Sequence, residues 1–306
     1  MNYYLEKKHK NNLDNNLINK LSFWANPILM ECYAKRDKSI FYYLVVYQDD
    51  IIVAVMPIFE KKKIFLKKAY TPLDYKYTPI DFFLKNDLDK FREQNYKLSI
   101  INEIAKYLKN NYFRIHIYLD PSINDIRAFN WAGLTVYTRY TYIKKIDDYT
   151  PDSLSRETKR LLNNKAKKEL HIKEIWDIDI YMSLSEQMLK RKNRNLRQIN
   201  SQFSVFLNDL YNKDLCTMYV AYKNDTPLLY LIILKDIIHK KIFAFFSALS
   251  DEGKKKYGAS IYVYDYIFTN LKEYITLDFA GANINTVAYF KSQFNCDLIN
   301  YYHIIK

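Results

Sequence analysis

Apolar and polar positions alternate along the chain in blocks that recur. Leu44–Ile58 reads LVVYQDDIIVAVMPI: a β-branched apolar run, a polar turn at Gln48-Asp49-Asp50, then a second apolar run. That pattern predicts two strands joined by a tight turn. Val220–Leu234, VAYKNDTPLLYLIIL, repeats it around a turn at Lys223–Pro227. A second pair of segments follows. Phe113–Ser122 and Tyr274–Asn283 each form an apolar strand that ends at an acid and opens into a loop of small residues. Each is followed by a short helical stretch, Asp125–Trp131 and Asn285–Phe294, and then by an aromatic strand, Tyr137–Ile146 and Leu298–Lys306. The helices predicted at Leu98–Lys109 and Ser260–Lys272 precede the second pair at matching places. Two divergent copies of one unit account for this order. The fold class is α/β (α+β), each copy a mixed twisted sheet flanked by helices.

The polar stretch Asp147–Ser153 reads as the linker, which places the domains at 1–150 and 151–306. Asp152 or Ser153 is expected to cap a basic helix, Leu154–Leu170, with Leu154, Leu161, Leu162, Ala166 and Leu170 on its apolar side. Further helices are predicted at Ile178–Arg191 and Gln202–Leu210.

Composition removes several functions. The 306 residues include 4 glycines, and no G-x-x-x-x-G-K-[ST], G-x-G-x-x-G or G-x-S-x-G occurs. Phosphate-loop ATPases, dinucleotide-binding dehydrogenases and α/β-hydrolases are thereby disfavoured. At 49% hydrophobic and 26% charged the chain is globular material. Cys32, Cys216 and Cys296 are far apart and form no C-x-x-C, so buried thiols in a reducing cytosol are expected, with no disulfide framework and no metal site. The N-terminus lacks the apolar stretch of a signal peptide, and the apolar runs near Ile40–Tyr47 and Ile51–Phe59 fall short of the ~20 residues of a membrane span. The expected location is cytoplasmic or peripheral at the inner membrane face. The net charge of +13 is spread over both halves. It suits phosphate-bearing partners such as nucleic acid, nucleotide conjugates or anionic membrane, and equally a solvated lysine surface.

Candidate chemistry concentrates in Ala244–Phe294. A strand at Ile242–Ser247 runs into a loop holding Lys254, Lys255, Lys256 and Tyr257, and a helix starts near Gly258, Ala259 and Ser260. Backbone N–H groups at a helix start attract anions, and small residues let a phosphate approach them. Asp278, at the end of the next strand, is a candidate general base. A second basic cluster, Leu189–Gln198, contains Lys190, Arg191, Lys192, Arg194 and Arg197, either a solvated loop or a contact for substrate phosphates.

The strand–loop–helix–strand order resembles the acyl-CoA-binding core of the GNAT superfamily of N-acyltransferases. The superfamily loop is Gln/Arg-x-x-Gly-x-Gly/Ala. Lys254–Ala259 matches it at the basic start and at Ala259, and Tyr257 stands where the first glycine would be. With its tandem copies the whole chain is similar to the two-domain Fem family, the peptidoglycan-bridge aminoacyl transferases. Trp131-Ala132-Gly133-Leu134, Tyr140-Thr141-Tyr142-Ile143, the basic helix at Arg160–Lys168, Asp278-Phe279-Ala280-Gly281 and Phe290–Phe294 carry the resemblance. It implies two tandem GNAT-like domains, the second carrying the donor-binding loop. The co-substrate would be acyl-CoA or aminoacyl-tRNA, without metal. The acceptor would be an amine of a cell-envelope precursor: peptidoglycan, an amino sugar or a nucleotide-linked glycan. Lys291 falls where acetyl-CoA-using relatives place an acidic tyrosine, with Tyr289 nearby. Tyr70–Pro79 resembles the segment lining the first domain's cleft, which marks Tyr70, Tyr75 and Tyr77, with Arg191 and Arg194, as substrate-binding candidates. The alternative is a non-catalytic tandem module that grips nucleic acid or anionic membrane by charge.

Overall fold

The computed structural model describes residues 3–85, 88–193, 201–256 and 258–306, and of 254–256 the backbone only. The chain forms two compact units. The first comprises Met1–Arg139 and Asn300–Lys306, the second Tyr140–Ile299.

In the first unit the strands are β1 (Tyr3–Lys8), β2 (Ile40–Gln48), β3 (Ile51–Lys63), β4 (Leu66–Tyr70), β5 (Asp81–Phe82) and β6 (Arg114–Tyr118). The helices are α1 (Asn15–Ile18), α2 (Pro27–Asp37), α3 (Lys90–Asn111) and α4 (Arg127–Trp131). Pairing is antiparallel from β1 through β4, and β4 then runs parallel to β6 in the register Lys68↔Arg114, Ala69↔Ile115, Tyr70↔His116. Parallel strands need a crossover, and α3 supplies it. Asp89 caps α3 by accepting from the Arg92 N–H at 2.8 Å. Ile100, Ile101, Ile104, Ala105 and Leu108, spaced for one helical face, bury against Leu44, Val46, Met56, Ile115 and Ile117 of the sheet.

The second unit repeats the order. Its helices are α5 (Arg156–Leu161), α6 (Lys167–Glu169), α7 (Ile178–Arg191), α8 (Ser201–Asn212), α9 (Asp251–Lys256), α10 (Ala259–Asn270) and α11 (Asn285–Ser292). Its strands are β8 (His171–Glu174), β9 (Cys216–Lys223), β10 (Thr226–Asp236), β11 (Lys241–Leu249) and β12 (Thr276–Asp278). β8 to β11 pair antiparallel, β11 runs parallel to β12, and α10 covers the crossover. The pairing senses match those of the first unit strand for strand. Both hairpins of the sequence repeat are present, as β2–β3 and β9–β10.

Two expectations are corrected. The aromatic strands β7 (Thr135–Lys145) and β13 (Asp297–Ile305) do not each finish their own copy. β7 pairs with β12 through Ile143↔Asp278 and Lys145↔Thr276 in the second unit. β13 pairs with β6 through His303↔Tyr118 and Ile305↔His116 in the first. The units therefore divide inside β7, at Arg139/Tyr140, ahead of the polar stretch 147–153. The cap of the basic helix is also displaced. Pro151–Ser153 is a 3-10 turn, and Ser155 accepts from the Thr158 N–H at 3.3 Å to start α5. A π turn at Leu162–Ala166 joins α5 to α6, and it buries Leu162 and Ala166 completely.

Ile304, buried in the first unit's core, contributes from the chain's last strand. Ile304→Ala is expected to destabilise the first unit by about 2–5 kcal/mol. Denaturant unfolding followed by first-unit tryptophans such as Trp24 should show a lower midpoint.

Candidate functional site

β11 and β12 pair over three residues only, from Lys241↔Thr276 to Phe243↔Asp278. Beyond that point a β-bulge interrupts the β10–β11 ladder. Ile233 pairs with Ala244 and Ile232 with Phe246, so Phe245 is the extra residue. A bulge bends its strand and raises the local twist. Ala244–Leu249 continue with β10 on one side, while the chain after Asp278 turns into a loop. The parallel pair thus opens into a wedge.

A cavity of about 600 Å³ fills this wedge. Ser247, Ala248 and Leu249 of β11 form one wall, Ser260, Val263 and Tyr264 of α10 another, and Thr286, Val287, Phe290 and Lys291 of α11 a third. Met188, Arg191 and Lys192, at the end of α7, complete the rim. Leu229 and Leu231 of β10 also line it, and Tyr264 packs on Phe279 with ring centroids 4.9 Å apart and on Phe294 at 5.4 Å, so an aromatic cluster backs the α10 wall. Burial raises the Tyr264 phenol well above its ordinary value, so it remains a hydroxyl.

Three of the expected site residues meet here: Ser260, Lys291 and Arg191. Lys291 Nζ donates to the Phe279 carbonyl at 2.6 Å and to the Gly281 carbonyl, bracing the Asp278–Asn283 loop against α11. Arg191 donates to the Leu249 carbonyl at 2.9 Å and pairs with Asp251, fixing the end of β11 to the start of α9. Gly258 and Ala259 begin α10, whose first backbone N–H groups have no acceptor inside the helix. Gly258 has φ +65, and a Cβ there would lie 2.8 Å from Leu161 Cγ. Lys254, Lys255 and Lys256 continue the short helix α9 and are not part of an open loop. Their side chains, with Tyr257, Arg194 and Arg197, lie outside the described residues.

Other candidates are placed elsewhere. Asp278 is 5% exposed; it accepts from Thr141 Oγ1 at 2.6 Å and from the Ala280 N–H at 2.6 Å. Its carboxylate accepts the N–H of Ala280, which sits in the left-handed region at φ 54, and Asp278 does not line the cavity. Tyr289 is 67% exposed on α11 and lines no part of the cavity. Tyr70, Tyr75 and Tyr77 retain 7%, 2% and 1% of their surface, so they offer no open face for stacking a ligand. The reason is packing: Tyr75 contacts Trp24, Tyr33 and Phe59 edge-on at 4.8–5.1 Å, and Tyr77 contacts Trp24 at 5.8 Å. Ser247, Tyr264 and Thr286 were not singled out by sequence. Their signal is faint: Ser247 interrupts an apolar strand just past the bulge, and Tyr264 follows Ser260 by one helical turn.

Two units with one strand order, each a mixed sheet with a parallel pair and a crossover helix, define the tandem GNAT fold. Solved structures agree. FemX superposes with TM-score 0.65 at 13% identity, over 97% of this chain and 96% of that one. The C-terminal domain of a putative lysylphosphatidylglycerol synthetase from Agrobacterium fabrum gives 0.59 at 11%, over 94% and 89%. A tandem GNAT protein from the clavulanic acid biosynthesis pathway gives 0.56 at 8%, over 99% and 98%. No family profile matches the chain, and neither does any curated protein sequence.

Two outcomes are expected. Gly258→Ala should destabilise the second unit by about 1–3 kcal/mol, because both the dihedral and the Leu161 contact oppose a methyl group. Adding Leu161→Ala should recover the steric part only, as read from denaturant midpoints. The thiols should be inert. Cys32 and Cys216 are buried, and burial, against the opposing pull of Lys144, pushes the Cys296 thiol up to about 12. The reactive thiolate is therefore scarce below that pH. Ellman's reagent at pH 8 should label no cysteine until the protein is unfolded.

Proposed function

We propose that the protein is an N-acyltransferase whose donor site is the wedge cavity of the second unit. It moves an acyl or aminoacyl group from a thioester or a charged tRNA to an amine of a cell-envelope precursor. The observation that carries this reading is the splayed parallel pair. Ala244–Leu249 present an edge of backbone groups toward a cavity that also meets a helix N-terminus and a lysine. An extended donor can add to that edge through main-chain hydrogen bonds, with its phosphates at the start of α10 near Ser260.

In the reaction the neutral acceptor amine attacks the carbonyl carbon, and the carbonyl π electrons move to oxygen. Backbone N–H groups of the β11 edge stabilise that oxyanion. The C–S or C–O bond then breaks, the leaving group keeps the electron pair, and the proton lost by the ammonium neutralises it. The lysine ammonium of Lys291, at the cavity wall, favours the developing anion electrostatically. Ser247, Ser260 and Thr286 supply hydroxyls for orienting the donor or relaying the proton through water. Asp278 is assigned a positioning role, since its buried carboxylate shapes the loop that Lys291 braces.

The neighbours named for lysylphosphatidylglycerol synthesis and FemX support an aminoacyl donor, and the tandem GNAT protein an acyl donor.

Purified protein incubated with labelled acyl-CoA or aminoacyl-tRNA and envelope precursors should transfer label from one donor. That donor should also raise the melting temperature. Ser247→Trp, which fills the cavity, should abolish donor-dependent stabilisation, and Lys291→Met should lower kcat by roughly 10–1,000-fold. Absence of both transfer and binding with either donor would overturn the proposal.

A further inference from the structure

One face of the first unit's sheet carries a cationic and aromatic cluster that the donor cavity does not use. The registers Lys68↔Arg114 and Tyr118↔His303 put β4, β6 and β13 side by side, and alternation places Arg114, His116 and Tyr118 on one face. His303 is central to it. Tyr118 stacks on its ring at 4.1 Å and 14°, and His116 meets it edge-on at 4.3 Å. Tyr137 of β7 lies 6.3 Å away, and Arg139 follows on the same strand.

Two features of this cluster are unusual. His303 is 4% exposed, and neither Nδ1 nor Nε2 has a hydrogen-bond partner among the described residues. Arg139 Nε is likewise buried without one. Buried polar atoms are almost always satisfied, so three in one cluster need an explanation. The second feature is the lack of acids. Among the described residues no carboxylate forms an ion pair with Lys68, Arg114 or Arg139. Burial first, then the neighbouring cations, hold both histidines down: His116 feels Lys68, Arg114 and Arg139, and His303, which feels His116 and Arg139, is lowered to about 4. Positive charge accumulates there uncompensated, with orphan polar atoms at its base.

We propose that this face binds a phosphate group, with Arg139 and His303 as donors at the base and Lys68 and Arg114 supplying charge at the rim. A phosphate would satisfy the orphan atoms with charge-assisted hydrogen bonds and relieve the repulsion among the cations. Its charge would also favour the imidazolium form of His303, whose two N–H groups both donate. The groups facing His303 are His116 and Tyr118 on β6 and Tyr137 and Arg139 on β7, while Lys68 on β4 and Arg114 on β6 act on His116 beside it. None is a carboxylate, so the bound anion is what raises the histidine's affinity for a proton. The phosphate could be free or belong to a lipid headgroup. The site is independent of the donor cavity, and its test does not depend on acyl transfer.

The test is imidazole 15N NMR on the full chain at low salt. Inorganic pyrophosphate, and separately vesicles of phosphatidylglycerol or of phosphatidylcholine alone, serve as probes. Saturable movement of the His303 nitrogens toward the imidazolium pattern is expected. Arg139→Gln should weaken the response about tenfold or more, and so should Arg114→Gln, an exposed position whose substitution leaves the core residues in place. A response to pyrophosphate assigns a free phosphate. A response only to phosphatidylglycerol vesicles, absent with phosphatidylcholine, assigns a headgroup. If neither probe moves His303, or if both arginine variants respond as the parent does, the proposal is wrong.

Discussion

Three residues of parallel pairing govern the second unit. Lys241–Phe243 hold Thr276–Asp278, and the Phe245 bulge then turns β11 aside. Had the pair continued, the backbone groups of Ala244–Leu249 would be spent on β12, and α10 and α11 would close over a filled sheet. Because it stops, those groups face a cavity instead. The remaining elements keep the wedge from collapsing. Phe279, Phe290 and Phe294 pack beneath Tyr264, Lys291 spans the loop carbonyls, and Arg191 fixes the far end of β11.

The first unit has the same topology and a different outcome. β4 and β6 also pair in parallel for three residues, but the chain after β4 returns into the gap. Thr78 bridges Leu119 in parallel, the Thr78 N–H donates to the Tyr118 carbonyl at 2.6 Å, and Thr71 Oγ1 accepts from the Tyr118 N–H at 2.9 Å. Tyr75 and Tyr77 follow this segment into an aromatic core with Trp24 and Tyr33. One copy of the repeat therefore plugs its wedge with its own chain, and the other leaves it open. That difference, rather than any motif, distinguishes the two units.

The repeat itself was legible because apolar runs and polar turns are local: the β2–β3 and β9–β10 hairpins and α7 lie where periodicity puts them. The chemistry was less legible. Tyr70, Tyr75 and Tyr77 look like ligand-stacking residues by composition, and only the return of their segment into the sheet shows them as core. Asp278 at a strand end reads equally as base or cap, and its partners, Thr141 and Ala280, decide it. The His303 cluster left no local trace, because its members come from β4, β6, β7 and β13.

The exchange of terminal strands is the feature that periodicity could not reveal, and it sets the loop beside the cavity. β7 comes from the first copy of the repeat, yet its second half continues along the chain after β12. The Phe279 N–H donates to the Tyr142 carbonyl at 2.9 Å, the Ala282 N–H to the Tyr140 carbonyl at 2.6 Å, and the Gly281 N–H to Thr141 Oγ1 at 2.9 Å. Asn283 closes the set by donating to the Tyr140 carbonyl and accepting from its N–H. Each of these bonds fixes a residue of the loop whose carbonyls receive Lys291. The geometry at the cavity wall is thus imposed by residues more than a hundred positions away in sequence. A contiguous second copy, 151–306, would lack the strand that shapes it. Duplication supplied two similar sheets, and the exchange makes the second one's loop depend on the first copy's chain.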